Sequence, residues 1–344
     1  MASIDSPEVQ LRPHPSMRRV WLALSIASLG WGTAGVLTRV VLNEGVEPYA
    51  SAALRSSLAA VVVLIFLFAR RVQINRRPRI RFLPAGRRKP DHPRDLLTRT
   101  RSRGVPRSPE AWKVGLVMGV SNLAVPYILS TIALQYASAG FIGLTTALIP
   151  LFTALLAHFA LENERLSPIK VGGLVLGFAG VGALLGSGES GLVSGGRPLV
   201  AGVLALISVA SIAAGGVYAK HHSGAYEPLD VTGVHFVSGS IVIVIATLIA
   251  EGLPPAPSGL AWALLVTMAI FTTFVPFALY YWMLRSVSAT FTSIAGYLVP
   301  PIAVIAGIVF LDERLQSGIV LGGLLIFAGV LVTDRSERMI RPRR

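Results

Sequence analysis

The chain has 344 residues, of which 53% are apolar and only 14% are charged, and it contains no cysteine. Charged residues make up about 25% of ordinary soluble domains, so the chain lacks the polar side chains that would cover a soluble protein of this size. The formal net charge of +14 suits a nucleic-acid-binding protein, but the apolar residues must face something other than water, and the lack of cysteine excludes disulfides and thiolate metal sites.

The apolar residues form ten long runs, and a helix needs about 20 such residues to cross a bilayer. Strands of a membrane barrel would alternate apolar and polar residues, and these runs do not alternate. We therefore predict an all-α membrane protein with ten transmembrane helices. In chain order they cover residues 20–42, 49–69, 112–134, 138–161, 169–187, 199–219, 231–250, 260–283, 288–311 and 316–333.

Basic residues outside these helices predict the orientation of the chain. Residues 1–19 are expected to form a disordered arm before an uncleaved first helix. The tract 70–109 holds 14 Lys and Arg residues but only two aspartates, and the tail 334–344 carries five arginines. Because cytoplasmic loops hold the excess of basic residues, we predict a multi-pass protein of the cytoplasmic membrane with both termini in the cytoplasm.

The basic tract itself has two possible partners. It lacks apolar periodicity, and its only aromatic residue is Phe82, so it offers little for stacking on nucleic-acid bases. Anionic lipid headgroups attract basic segments that lie beside transmembrane helices. We predict a cytoplasmic loop over residues 70–111 that lies on such headgroups, and no nucleic-acid partner.

The second half of the chain repeats the first. Three pairs of segments match in order: residues 125–127 with 275–277, 138–141 with 288–291, and 164–166 with 313–315. The first repeat then comprises 20–69 and 112–187, and the second comprises 199–333. Each repeat has five helices, an odd number, so the second repeat enters the membrane from the opposite side. Inverted repeats of this kind are used by secondary transporters for alternating access.

Four short segments add a family resemblance. They are Trp31-Gly32, Arg55, and the Glu-Arg-Leu blocks at 164–166 and 313–315, each block leading into a glycine-rich helix. Together they resemble EamA-type carriers of the drug/metabolite transporter superfamily. The second block lacks the proline that follows the first, and the basic tract is longer than is usual there. The resemblance implies ten helices and transport, most often export, of small organic metabolites such as amino acids and related solutes.

Two other classes of protein compete with a transporter. An intramembrane enzyme needs a nucleophile with a base, paired carboxylates or metal ligands. The sequence has no Asp or Glu in the middle of a predicted helix and no HExxH motif, so we predict no catalytic residue, no metal and no cofactor. A channel or a receptor that transports nothing is not refuted by the sequence and stays the alternative.

Charged residues inside apolar helices are costly and mark functional candidates. Arg39 and Arg55 are predicted near the outer mouth of the protein, and the repeat register places Lys220 and His235 near the inner mouth. A basic group at each mouth would suit a solute with a carboxylate or a phosphate. For Arg39 and Lys220 the alternative is that their long side chains extend to the interface and pair with nearby carboxylates.

Two histidines are also candidates. If transport is coupled to protons, His235 is the best carrier because the unperturbed pKa of histidine is about 6.5; otherwise the protein is an exchanger or a facilitator. His158, near the inner end of the fourth helix, either lines the transport path or is an ordinary interfacial residue.

Polar and aromatic residues near the helix centres are the candidate substrate-binding residues, because such carriers bind their solute at the membrane midplane. The alternative for each is helix–helix packing, in which Ser and Thr are common. The candidates are Trp31, Asn122, Thr145, Thr146, Ser211, Thr272, Thr273 and Tyr297, with Tyr280 and Tyr281 lower.

Prolines occupy matched positions inside four of the predicted helices. Pro126 corresponds to Pro276, and Pro150 corresponds to Pro300. Each proline removes a backbone hydrogen bond and kinks its helix. We predict that these four positions are points at which the helices flex.

Overall fold

A computed structural model describes residues 16–76, 106, 108–161, 166–192, 196–222, 228–286 and 294–340. Within these ranges the regular structure is entirely helical. The arm before residue 16 and residues 77–105 of the basic tract lie outside the described residues, as does the Glu-Arg pair at 164–165.

Ten helices are present in the described part of the chain, as predicted. Eight contain a stretch that is long and apolar enough to cross a membrane, and the last two have shorter apolar stretches. They are α1 (Met17–Asn43), α2 (Pro48–Arg76), α3 (Pro109–Ala133), α4 (Ala139–Ala160), α5 (Pro168–Gly186), α6 (Pro198–His221), α7 (Pro228–Ala250), α8 (259–286), α9 (Ile294–Leu311) and α10 (Ser317–Ile340).

Two of these helices continue well past their predicted ends. α2 continues to Arg76 and α10 continues to Ile340, so each extends from its apolar run into a basic segment that was expected to be loop or tail. The apolar length sets the part of a helix that spans the bilayer. It does not end the helix, because the backbone hydrogen bonds continue into water.

Serines begin four of the helices. Ser108, Ser138, Ser167 and Ser258 each accept a hydrogen bond from the backbone N–H three residues later. Such a cap satisfies one of the N–H groups that a helix leaves without a partner at its start. The serines at the starts of α3 and α8 are 150 residues apart, which is the offset of the repeat.

One face of the molecule gathers the loops at which α1 ends and α10 begins, and we call it the Glu44 face. Glu44 accepts a hydrogen bond from the Ser258 hydroxyl at 2.8 Å. The Glu251 carboxylate accepts the first N–H groups of α2, from Tyr49 at 2.9 Å and Ala50 at 2.8 Å. These contacts join the α1–α2 loop of the first repeat to the α7–α8 loop of the second.

Both α3 and α8 contain a π-helical segment that ends immediately before a Val-Pro pair. The segments are Gly119–Ala124 and Met268–Phe274. The N–H of Val125 and that of Val275 each donate to the carbonyl five residues back. The proline that follows each valine has no N–H to donate, and the wider π turn accommodates its ring.

The two repeats approach each other closely along α5 and α10. An added Cβ at Gly329 would lie 2.5 Å from the Gly173 carbonyl oxygen and 2.5 Å from the Gly177 nitrogen. Small residues that let two backbones approach in this way stabilise helix pairs in membranes. The α5–α10 contact is therefore a close-packed joint between the halves of the protein.

We expect Gly329→Ala to destabilise the protein by about 1–3 kcal/mol, because the added methyl group must push α5 and α10 apart. Gly172→Ala is the matched control, since an added Cβ there meets nothing within 4 Å. Thermal unfolding in detergent measures both variants. Equal melting temperatures for Gly329→Ala and the wild type would contradict the role given to this joint.

Candidate functional site

A cavity of about 190 Å³ lies among α1, α2, α3, α4, α6 and α9. Its wall therefore includes helices from both repeats. Apolar side chains form most of the wall, and Arg55 is the only charged residue among the described residues that line it. The hydroxyl groups of the wall belong to Thr38, Ser130, Thr131, Thr145, Thr146 and Ser208, together with the phenol of Tyr127.

Arg55 is held in a fixed orientation by three neighbours. Its Nη2 donates to the Thr272 hydroxyl at 3.0 Å, and its Nε and Nη2 both lie 3.3 Å from the Thr273 hydroxyl oxygen. The ring of Tyr127 covers the guanidinium at 4.5 Å from its centroid, a cation–π contact. The Tyr127 phenol in turn hydrogen-bonds to Thr273 at 3.3 Å.

The two threonines owe their position to the π segment of α8. Thr272 and Thr273 are adjacent in the chain, are both buried, and lie just before the end of that segment. Both threonines belong to the second repeat, whereas Arg55 and Tyr127 belong to the first. The arginine therefore joins the two halves beside the cavity.

The predicted binding residues are divided by the structure into those at the cavity and those beyond it. Three of them line the cavity: Trp31, Thr145 and Thr146. Arg55, predicted as a gate or charge residue, and Pro126, predicted as a point of flexing, line it as well. Thr272 and Thr273 are not among the lining residues, and they are linked to the cavity by their hydrogen bonds with Arg55. The hydroxyls of Thr145 and Thr146 donate to backbone carbonyls of their own helix, both at 2.7 Å, so their oxygens are left as acceptors.

Three predicted residues have other neighbours. Tyr280 contacts the edge of Trp31 at 5.7 Å between ring centroids, and Tyr297 contacts Phe327 at 6.0 Å. Asn122 accepts a hydrogen bond from the Ser121 hydroxyl at 3.1 Å. The side chain of Tyr281 lies outside the described residues.

The basic residues predicted near the inner mouth do not line this cavity. His235 is 2% exposed and packs against Phe236 and Phe277, and its Nε2 has no hydrogen-bond partner within the described structure. Lys220 is exposed at the end of α6. His158 is also exposed, and its Nδ1 accepts the Leu166 N–H at 3.3 Å.

The predicted prolines lie at two kinds of helix irregularity. Pro126 and Pro276 are the second residues after the π segments of α3 and α8, each preceded by a valine. Pro150 begins the second part of α4, which is interrupted at residues 147–148. Pro300 lies inside the continuous helix α9 and is followed by a second proline.

Arg39 belongs to a separate group on the Glu44 face, which we call the Glu313 cluster: Arg39, Ser138, Ala139, Gly140 and Glu313. The Glu313 carboxylate accepts the first N–H groups of α4, from Ala139 at 2.5 Å and Gly140 at 2.9 Å. Arg39 donates from Nη2 to the Ala137 carbonyl at 2.5 Å and attracts Glu313 electrostatically. It was expected to pair with a carboxylate near it in sequence, but Glu44 bonds Ser258 instead.

Burial raises the pKa of Glu313 above the usual range of a carboxyl group. The N–H groups of Gly140 and Ala139 and the charge of Arg39 act in the opposite direction, because they stabilise the ionised carboxylate. Glu313 lies in the loop between α9 and α10. It is therefore a carboxylate of the second repeat that caps a helix of the first.

Sequence reasoning missed several polar residues of these sites, among them Thr38, Thr131 and the four described next. Tyr127 lies in a segment that identified the repeat, but nothing in the sequence placed its ring on Arg55. Ser130 and Ser208 hydrogen-bond to each other at 3.1 Å across the cavity wall, 78 positions apart in the chain. Glu313 was noticed as part of a repeated block, and its partner on α4 had no sequence signal.

Three comparisons with known proteins agree with this architecture. The model of the EamA-like transporter family matches residues 96–186 and 199–333. The uncharacterized transporter YoaV of Bacillus subtilis is 23% identical and covers 92% of this chain and 97% of its own length. The uncharacterized inner membrane transporter YedA of Escherichia coli is 30% identical over 63% of this chain and 69% of its own.

Protein PecM of Dickeya dadantii is 26% identical over 65% of this chain and 73% of its own length. A solved crystal structure that is 19% identical superposes with a TM-score of 0.59 and covers 94% of this chain and 99% of that one. At that identity the superposition bears on the fold alone, and it extends over nearly the whole chain.

The Ser211 side chain replaces a backbone hydrogen bond that Pro126 cannot make. Its hydroxyl donates to the Ser121 carbonyl at 2.9 Å, and Pro126, five residues after Ser121, has no N–H for that carbonyl. We expect Ser211→Ala to cost about 0.6–1.7 kcal/mol, the range of hydrogen bonds between membrane helices.

The same substitution should cost less when Pro126→Ala is also present, because the backbone can then supply an N–H to the Ser121 carbonyl. Melting temperatures of the wild type, the two single variants and the double variant form a double-mutant cycle. An equal cost of Ser211→Ala in both backgrounds would show that the two residues do not share this carbonyl.

Proposed function

Because the chain belongs to the EamA-like transporter family, we propose that it exports small organic metabolites, most of all amino acids and related solutes, by alternating access. Family membership makes it a multi-pass membrane transporter of small molecules. The class of solute, the direction of transport and the mechanism are the parts that we propose.

The observation that carries the proposal is the position of the cavity between the two repeats. Its wall draws on α1 to α4 and on α6 and α9, so a movement of one repeat against the other changes every side of it. Binding at the interface of inverted repeats, followed by movement about the bound solute, is how such carriers work. A channel would need no such site between two movable halves.

Contacts between the repeats on the Glu44 face oppose that movement. Glu313 caps α4, and the N–H of Arg314 donates to the Gly191 carbonyl at 3.0 Å. The first contact joins the α9–α10 loop to α4 of the first repeat, and the second joins it to the linker between the two repeats. We propose that they hold the cavity closed on this face and must break for it to open there.

The Glu44 face is proposed to be the outer one. α2 ends, α3 begins and α10 ends at the opposite end of the helices. The sequence holds 14 basic residues between α2 and α3 and five in the tail, and basic loops stay in the cytoplasm. Export then requires the solute to enter the cavity from the opposite face, on which both chain termini are predicted, and to leave it through the Glu44 face.

Counterflow in proteoliposomes tests the proposed transport. Vesicles loaded with one unlabelled amino acid should accumulate the same labelled amino acid transiently, because a carrier exchanges solute across the membrane. Protein-free liposomes are the control. Labelled solute that enters only down its own gradient would favour the channel, and absence of counterflow across all amino acids and their deaminated acids would favour the receptor.

We expect Glu313→Gln to open the Glu44 face, because a neutral amide loses the attraction of Arg39 and cannot accept both N–H bonds as a carboxylate does. The chain has no cysteine, so a single Ser208→Cys reports access to the cavity. An impermeant maleimide added to intact cells should label it several-fold faster in the Gln background. Acidification lowers the thiolate fraction and slows maleimide labelling of every cysteine, so its effect is read as the labelling rate of Ser208→Cys divided by that of an exposed cysteine. That ratio should rise on acidification with Glu313 present, because its raised pKa brings protonation to a milder pH, and should not change with Gln.

Ala256→Cys, in the exposed loop before α8, is the matched control. It should react in intact cells at the same rate with Glu or Gln at position 313. Because the maleimide cannot cross the membrane, this reaction would also show that the loop lies outside the cell. Failure of Ala256→Cys to react until the membrane is broken would reverse the orientation. Equal labelling of Ser208→Cys in both backgrounds would remove Glu313 from the gate.

A further inference from the structure

We propose that the preferred solute is a small organic monoanion, a monocarboxylate with an apolar body of about one ring and no ammonium group, whose carboxylate binds Arg55. This inference rests on the proposed function and narrows its substrate class. Within that class it excludes zwitterionic amino acids as the preferred solutes and keeps the related acids that have no ammonium group.

The charge of the cavity is the first argument. Arg55 contributes a full positive charge, and the described lining residues include no Asp or Glu. Its neighbours are two threonine hydroxyls and a tyrosine ring, which are all neutral. Charges at membrane depth are costly unless they are paired. Arg39, by comparison, is attracted by Glu313, so of these two arginines Arg55 is the one that faces the cavity without a carboxylate among the described lining residues.

The remaining donors of Arg55 are the second argument. Nε and Nη2 bond Thr273 and Thr272, whereas Nη1 hydrogen-bonds to none of the described residues. The threonines and the Tyr127 ring restrict the side chain, so little rotational freedom is lost when an anion binds. A planar guanidinium held in this way is a strong partner for a carboxylate.

The other polar groups of the wall supply no counter-charge for an ammonium. The Thr131, Thr145 and Thr146 hydroxyls donate to backbone carbonyls, so their oxygens can accept but carry no charge. An amino acid would neutralise Arg55 with its carboxylate and then leave its own ammonium without a counter-charge. A monocarboxylate makes the cavity neutral.

The size and surface of the cavity define the rest of the solute. An engineered cavity of about 150 Å³ admits benzene, so about 190 Å³ holds a single-ring acid. Trp31, Pro126, Ile142, Val209 and Val299 supply apolar wall, which suits a ring or a branched chain. A solute with two charged groups, or one with a large polar body, would fit this cavity poorly.

Four probes that each carry one phenyl ring separate the effect of the solute's charge from that of its ring: benzoate, benzamide, benzylammonium and phenylglycine. Binding to the purified protein is read by ligand-dependent thermal shift and tryptophan fluorescence, and transport by counterflow above protein-free liposomes. We expect benzoate to bind at least tenfold more tightly than each of the other three. We expect Arg55→Gln to remove that preference and Arg55→Lys to keep part of it.

Arg197→Gln is the matched control, because it removes an exposed arginine that lies outside the cavity and should leave the preference for benzoate unchanged. Thr273→Ala keeps the charge of Arg55 but loosens its position, and should weaken benzoate binding while the protein stays folded. That variant tests the site even if Arg55→Gln does not fold.

Equal binding of benzoate and benzamide, tighter binding of phenylglycine, or an anion preference that survives Arg55→Gln would each overturn the inference. So would a lack of binding by benzoate and by every aliphatic monocarboxylate of three to six carbons. Counterflow of amino acids without counterflow of benzoate would overturn the inference and leave the proposed transport standing. The lack of counterflow for every solute would refute the transport itself.

Discussion

A backbone carbonyl in the bilayer core has no water to bond, so a donor removed from a helix must be replaced within the protein. Pro126 and Pro276 each remove one, and the two repeats respond differently. In α3 the carbonyl of Ser121 receives the Ser211 hydroxyl from α6. In α8 the matching carbonyl, that of Phe271, lies so close to α1 that a Cβ added at Gly30 would overlap its oxygen. One site thus binds a side chain, and the other allows a close approach of two backbones.

This irregular backbone also positions the site. The π segment of α8 carries Thr272 and Thr273, which hold Arg55, and Tyr127 follows Pro126 directly in α3. π segments are often found at functional sites, and the reason is visible here: each widened turn redirects the side chains beside it. Two arginines of the first repeat then have different surroundings. Arg39 and Glu313 attract each other electrostatically on the Glu44 face, and Arg55 is the positive charge of the cavity.

Much of the architecture could be predicted from the sequence, because it depends on lengths and repeats. The apolar runs predicted ten helices, and the offset of 150 residues already related the segment that forms α3 to the one that forms α8. Trp31, Arg55, Thr145 and Thr146 were selected by depth in the membrane and do line the cavity. Depth alone could not separate them from Tyr297, which packs on Phe327, since depth is a position along a helix and the cavity is a matter of which side of the helix faces inward.

By itself, the sequence determined the helical membrane fold, the inverted repeat and the presence of arginines inside apolar segments. Those properties follow from local composition and from the cost of exposing polar groups to lipid. Only the tertiary structure decided which arginine has a carboxylate partner. Glu313 reaches α4 across 174 positions of the chain, and Thr273 reaches Arg55 across 218. No sequence pattern records such contacts, because they depend on how ten helices rotate and pack against one another.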